Sequence, residues 1–351
     1  METYYLTKQT FAQLLKSLLE NYSTYVPFKK GDFLFYQRLT SDNLEDIVID
    51  TNRAIHSIKS FFLPPQEKVS DYFGPENPVS EPRKAIVGVK ACDLKALKIL
   101  DSVYASRDFG DFEDSGYLKK RKQTLIISSD CLEPDENCFC TNLRGTPYPK
   151  EGFDLNLSSV AGGFVVEPGS EKGEKIIQEQ ATIFREAKKP ELEEREKNRQ
   201  RVSTQVKKNN QEFQVEKPYR EIVKDSYGCE TWSRYAETCV DCGGCNEICP
   251  TCRCFLLHDG KKGEQFERTR LWDACLLTGF ARVAAGANPR PHLHQRFSNR
   301  LFCKLYFFPQ NINLDACTGC GRCIAVCIGK IDMRKVIKDL EQETKVSAIK
   351  K

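Results

Sequence analysis

The chain has 351 residues, 40 % of them apolar, with a formal charge of +4 and 17 cysteines. That is apolar material for two or three packed domains, which excludes a disordered or fibrous chain, and 53 basic against 49 acidic residues is too even to argue for nucleic acid. No apolar run reaches the roughly 18 residues of a membrane span, and the start lacks a signal-peptide pattern; the expectation is a cytoplasmic protein whose cysteines serve metal rather than disulfides.

Apolar side chains at helical spacing, Phe11, Leu14, Leu15, Leu18 and Leu19, predict a first helix capped by Thr7 or Thr10. Phe33–Tyr36 and Ile47–Ile49 read as short strands, and the prolines of 58–83 as mostly loop. Ala85–Val89 reads as a buried strand, Asp93–Val103 as a helix and Leu125–Ser129 as a second buried strand, which together suggest an α/β core. Gly162–Pro168 resembles one more strand. Residues 171–220 are dense in Lys, Arg and Glu; they read as an exposed helical segment with a mobile middle, with a partner-contact arm as the alternative. Leu271–Ala285 is expected to be a helix, and so is Asp332–Glu343, with Met333, Val336, Ile337 and Leu340 on one face.

Cys239, Cys242, Cys245 and Cys249 follow C-x2-C-x2-C-x3-C, with Pro250 next. Cys317, Cys320, Cys323 and Cys327 repeat that spacing, with Ile328 in place of the proline. In two-cluster ferredoxins the fourth cysteine of such a run ligates the other cluster. The expected assignment is therefore crossed. Cys239, Cys242, Cys245 and Cys327 would hold one [4Fe–4S] cluster, and Cys317, Cys320, Cys323 and Cys249 a second. Structural zinc is the competing reading, but zinc sites use paired C-x2-C knuckles rather than doubled four-cysteine runs. Gly243, Gly244, Gly319 and Gly321 would leave room beside inorganic sulfur.

Cys92 and Cys131 each follow a predicted strand, on the face where α/β sheets place their sites, and Cys138 and Cys140 follow in a polar loop. These four are the expected ligands of a third [4Fe–4S] cluster, with zinc or ordinary thiols as alternatives. Of the remaining five, Cys252, Cys254 and Cys275 are the less certain candidates for a further metal site, and Cys229 and Cys303 have no assigned role. His292 and His294 with Arg290 and Arg296 form a basic patch, read as solvated surface or as a dock for an acidic partner. No nucleophile elbow, phosphate loop or dinucleotide fingerprint is present, so no substrate site is identified, and whether the chain is itself an enzyme stays open.

Several segments carry a resemblance. They include Ser57–Glu67, Gly88–Leu94, Cys138-Phe139-Cys140, Gly152–Leu155, Cys249–Phe255, Trp272–Cys275, Ala285–Arg290 and Cys320–Cys323. Through them the chain resembles the iron–sulfur beta subunits of cytoplasmic sulfhydrogenases, and it is similar to an iron–sulfur component of anaerobic sulfite reductases, both 4Fe-4S dicluster proteins. The resemblance implies an electron-transfer subunit in a hetero-oligomer. Its partners would be a flavoprotein that handles NAD(P)H and a catalytic partner, either a nickel–iron hydrogenase or a sulfur reductase. A sulfite reductase or a heterodisulfide-reductase-linked bifurcating complex is the alternative setting. A catalytic iron–sulfur enzyme with an open site near Cys252, Cys254 and Cys275 is the second alternative. The expected organisation is an α/β domain over 1–170 and a charged helical connector over 171–226. A ferredoxin-like dicluster domain over 227–351 follows, interrupted by an insertion at 255–312.

Overall fold

The computed structural model describes residues 2–72, 82–105, 113–263 and 265–349. Its strands are β1 (Tyr4–Thr7), β2 (Ser23–Lys30), β3 (Phe33–Arg38), β4 (Gln66–Asp71), β5 (Lys84–Val89), β6 (Thr124–Ser129), β7 (Leu155–Val160), β8 (Gly163–Pro168), β9 (Arg185–Glu186), β10 (Phe255–Lys262) and β11 (Gln265–Trp272). The chain divides into two units, Met1–Ile58 with Pro78–Asn209, and Lys59–Asn77 with Asn210–Lys351.

The first unit is a mixed α/β sheet in the order β3-β2-β5-β6-β7-β8-β1-β9. β2, β5, β6 and β7 run parallel, and the flanking pairs are antiparallel. The helix Lys8–Asn21 forms where the apolar spacing predicts it, and Thr7 caps it by accepting from Thr10 N at 3.0 Å. Its Phe11, Leu14, Leu15 and Leu18 share one buried cluster with Val87, Ile127 and Leu157. Against Tyr5, Val160 and Val165 lies Leu192 of the helix Lys189–Asn209. This helix, in the segment expected to be exposed, buries Val202 and Val206 almost completely. Arg199 donates to Asp130 and Glu167 at 2.7 Å each, so the helix is docked rather than free. The middle expected to be mobile falls in this helix, and ahead of it β9 pairs with β1.

Three local expectations are corrected. Ile47–Ile49 is no strand; a single bridge joins Ile47 to Phe28. The 58–83 segment carries β4 and the one-turn helix Lys59–Phe62, while 73–81 lies outside the described residues. Leu271–Ala285 is not a helix either. β11 runs to Trp272, because it pairs with β10 on one side and with β4 on the other.

The second unit combines that three-stranded antiparallel sheet, in the order β10-β11-β4, with helices Thr231–Ala236, Leu293–Phe302 and Met333–Ile349. Trp232 sits edge-on to Phe297 at 6.0 Å and tilted against Phe302 at 6.0 Å. The final helix buries Val336, Ile337 and Leu340, the face its spacing predicts. No helix among the described residues is long and apolar enough to cross a membrane.

Candidate functional site

The two cysteine runs fold alike, residue for residue. After Cys242 comes Gly243 at φ +70°, then the one-turn helix Gly244–Glu247; after Cys320 comes Gly321 at φ +71°, then Arg322–Ala325. Both glycines take the left-handed conformation that L side chains rarely adopt, so the backbone turn itself requires them. Two residues past the first cysteine of each run stand Asp241 (φ +54°) and Gly319 (φ +67°). Asp241 bears this backbone with its carboxylate fixed by Arg296 Nη2 at 2.9 Å. Arg296 is 4 % exposed and also donates to Leu276 O and Pro291 O, so it is no part of a solvated basic patch.

The runs converge. Gly329, just past the second run, approaches the first so closely that a Cβ on it would stand 2.2 Å from Thr238 O. That contact carries Cys327 to within electrostatic reach of Cys239 and Cys245. In the other direction, Cys249 lies within reach of Cys317 and Cys323. The fourth cysteine of each run thus lies near the first and third of the other.

Between these sulfurs lie two buried cations, Arg300 and Lys304. Lys304 Nζ donates to Thr251 Oγ1 at 2.8 Å, and Arg300 Nη2 to Cys245 O at 3.1 Å. Neither forms an ion pair with a carboxylate among the described residues, and Arg300 Nε is buried without a hydrogen-bond partner. Burial works against the Lys304 charge, but Cys249 and Cys252 outweigh it and raise its pKa. Cys249 responds in kind. A hydrogen bond shared with Cys252 holds it well below the usual thiol range, with help from Lys304, Arg300 and Thr251. A hydrogen bond shared with Cys254 likewise lowers Cys275 to about 6, and Asn246 Nδ2 donates to its sulfur at 3.2 Å. Lys59, pushed down by burial, lies 3.6 Å above the Trp272 ring and within reach of Cys252 and Cys249.

In the first unit, Cys92 follows β5 and Cys131 follows β6, as expected; Cys140 opens the 3-10 turn Cys140–Leu143. Cys140 lies within electrostatic reach of Cys138 and Cys131. Cys92 and Cys131 both feel Lys90, which is 1 % exposed. Lys90 Nζ donates to Ile49 O at 2.6 Å and to Ser129 Oγ and Asp130 O at 2.9 Å.

The cofactor expectation is corrected. Among the described residues no group of three or more His, Cys, Asp and Glu side chains is arranged to hold a metal ion. This overturns the two [4Fe–4S] clusters expected on the runs and the third expected at Cys92, Cys131, Cys138 and Cys140. It also removes the metal site at Cys252, Cys254 and Cys275. The physical reason is that ligation needs at least three such side chains converging on one point, and none of the described residues do so. Burial holds Cys317 at about 12 and Cys323 at about 11, and pushes Cys131, Cys140, Cys239 and Cys245 upward. Other sulfurs are engaged: Cys327 Sγ accepts from Ile331 N at 3.3 Å, and Cys249 lies 3.3 Å from Thr251 Oγ1.

Sequence reasoning missed Lys90, Asn246, Arg300, Lys304 and Gly329. Lys90 alone had a signal, since it lies two residues before Cys92 at the end of a predicted strand.

Residues 238–331 match the family model of the 4Fe-4S dicluster domain. Over 344 residues, 96 % of this chain and 98 % of the relative, the chain is 31 % identical to sulfhydrogenase 2 subunit beta of Pyrococcus furiosus. With a mixed α/β sheet region ahead of a matched dicluster region, and a likeness running through both, the chain belongs to the iron–sulfur family of sulfhydrogenase beta subunits.

Proposed function

We propose that this chain is the electron-transfer subunit of a sulfhydrogenase-type complex. It works between a flavoprotein that handles NAD(P)H and a separate catalytic partner, either a nickel–iron hydrogenase or a sulfur reductase. The observation that carries this reading is the crossed convergence of the two cysteine runs around buried Arg300 and Lys304. Such a core concentrates sulfur in one place and surrounds it with fixed positive charge, which favours the electron-rich state. We assign Cys239, Cys242, Cys245 and Cys327, and Cys317, Cys320, Cys323 and Cys249, to the site that serves this function. Cys92, Cys131, Cys138 and Cys140 form a separate group in the first unit. The full-length likeness to a subunit named beta supports work inside a larger assembly.

The test is anaerobic affinity purification of the tagged chain from its native cells. A co-purifying flavoprotein and hydrogenase, with NADPH-driven hydrogen production by the complex, is the expected result. In that complex Cys320→Ser should stop electrons passing from NADPH to the catalytic partner. Flavin reduction by NADPH and hydrogen-dependent dye reduction should both remain. A sirohaem reductase in place of the hydrogenase would move the assignment to the sulfite reductase setting; a chain that purifies without partners would overturn it.

A further inference from the structure

The first unit holds a cavity of about 770 Å³ that the electron-relay reading does not use. It lies where the parallel strands begin: Tyr22 precedes β2, Arg83 precedes β5, and Lys122 and Gln123 precede β6. Cys92 and Cys131 lie past the other ends of β5 and β6, so the cavity and those thiols stand at opposite ends of the same strands. Its volume falls within the roughly 300–1,000 Å³ of small-molecule sites. Leu18, Leu125 and Ile176, all buried, give it an apolar floor. Gln180 Nε2 donates to Ser17 Oγ at 3.0 Å, which ties the end of the helix Glu171–Glu179 to the helix Lys8–Asn21 across the cavity wall.

The charges around this floor do not balance. Arg83, Lys122, Lys172 and Lys175 line the cavity against one carboxylate, Glu179. Glu179 lies 3.7 Å from Lys175, so those two offset each other. Lys172 Nζ donates to two backbone carbonyls, Lys122 O at 2.8 Å and Thr124 O at 3.5 Å, which position its charge without neutralising it. Arg83 and Lys122 form no ion pair with a carboxylate among the described residues. Three uncompensated cations above an apolar floor suit an anion with an apolar body. A guanidinium can fork onto one phosphate, and ammonium groups can meet the remaining oxygens as point charges. A diphosphate concentrates its negative charges on adjacent groups, as these cations are gathered at one cavity. Asn21 and Gln123 add amide donors and acceptors of the kind that pair with a base.

We infer that this cavity is a binding site for a nucleoside diphosphate. The base lies against Leu18, Leu125 and Ile176, and the diphosphate meets Arg83, Lys122 and Lys172. The site is one of binding only; no bond of the ligand is made or broken there.

The inference does not depend on the electron-relay reading, and its test needs neither partners nor electron flow. The full chain, purified anaerobically, is titrated in a calorimeter with ADP, AMP and inorganic pyrophosphate. The expected result is saturable ADP binding that weakens with added salt. AMP should bind more weakly for want of a phosphate, and pyrophosphate for want of the base. Arg83→Gln and Lys122→Gln, both at exposed positions, should each weaken ADP binding about tenfold, the worth of one charge-assisted hydrogen bond. Arg38→Gln, which removes an exposed cation on β3 outside the cavity, should leave binding unchanged. An azido-ADP photolabel, mapped by mass spectrometry, should mark peptides that cover 17–22, 122–125 or 172–180. The inference is overturned if ADP does not saturate the chain at millimolar concentration, or if pyrophosphate binds as tightly as ADP. It is overturned too if both cavity variants bind ADP like the parent chain, if Arg38→Gln weakens binding as much as they do, or if the label falls only on other peptides.

Discussion

Each unit buries cationic side chains, and the two satisfy them in different ways. In the first unit, Lys90 is met by two backbone carbonyls and the Ser129 hydroxyl, and Arg199 by Asp130 and Glu167. Their charge is accommodated by oxygen, so the thiols beside Lys90 are left to the effect of burial, and Cys131 rises. In the second unit, Arg300 and Lys304 receive no carboxylate among the described residues. There Cys249 and Cys275 fall, first through the hydrogen bonds they share with Cys252 and Cys254 and then through these cations, while Cys245 and Cys323 rise with burial. A buried cation without a carboxylate thus helps to lower a cysteine beside it where a hydrogen bond from another group to the sulfur acts in the same direction, and is outweighed by burial where none does.

This contrast orders the expected cost of deleting each cation. Arg199→Met should be the most damaging, by about 3–5 kcal/mol, because Asp130 is left as a buried charge that has lost its partner. Lys90→Met follows at about 2–4 kcal/mol, because Asp130 O and Ser129 Oγ lose a donor in a dry site. Urea unfolding monitored in the first unit measures both. Equal costs would show that carboxylates and carbonyls are interchangeable partners here, and the contrast would fail.

Lys304→Met should cost less, about 1–2 kcal/mol, because a thiolate that loses its cation can take up a proton, whereas a carbonyl oxygen cannot. The larger effect should appear in chemistry: alkylation of Cys249 near neutral pH should slow about tenfold for each unit its pKa rises. A cost as large as that of Lys90→Met, with unchanged alkylation, would mean that sulfur does not balance this charge. Gly329→Ala probes the convergence itself. Its Cβ would meet Thr238 O at 2.2 Å, so the start of one run or the end of the other must shift, at about 1–3 kcal/mol. Alkylation of Cys239 and Cys327 should rise together; a rise in only one would uncouple the runs.

What is legible in the chain follows from the range of the interactions. The helix Lys8–Asn21 and strands β5 and β6 rest on local apolar patterns, and they appear where the patterns put them. β2 escapes such a reading because it contains Pro27. That proline lies past Ser23–Tyr25, the stretch paired with β5, so the missing N–H interrupts no bond there. Leu271–Ala285 misleads because its apolar spacing fits a helix, while the partner that makes its start a strand, β4, comes from some two hundred residues earlier. For the candidate site, the spacing of the runs is legible in the sequence. Arg300 and Lys304 are not, because they reach the sulfurs only through the packing of Leu293–Phe302 and the turn after it. The cofactor expectation fails at this level as well: spacing sets which cysteines meet, but not whether their side chains converge on one point.

The smallest expected effect comes from a thiol with no cation among the groups that shift it. Cys229 is raised to about 11 by burial first and then by the Glu343 carboxylate, to which it donates. Glu343 also accepts from Glu230 N at 2.7 Å, Thr231 N at 3.0 Å and Thr231 Oγ1 at 2.7 Å. It ties the final helix to the start of Thr231–Ala236, and the thiol is one of four donors. A thiol whose folded pKa exceeds its ordinary 9.0 contributes stability that is complete below pH 9 and is lost as pH rises through about 11. The difference in unfolding midpoint between the parent chain and Cys229→Ala should therefore be small and constant up to pH 9, then shrink between 9 and 11. Most of this thiol's surroundings are solvent, which screens the Glu343 charge and keeps the effect modest. A difference that instead grows with pH would place a cation near Cys229. Sulfur in this part of the second unit would then obey the same rule as Cys249 and Cys275, not the rule of an isolated thiol.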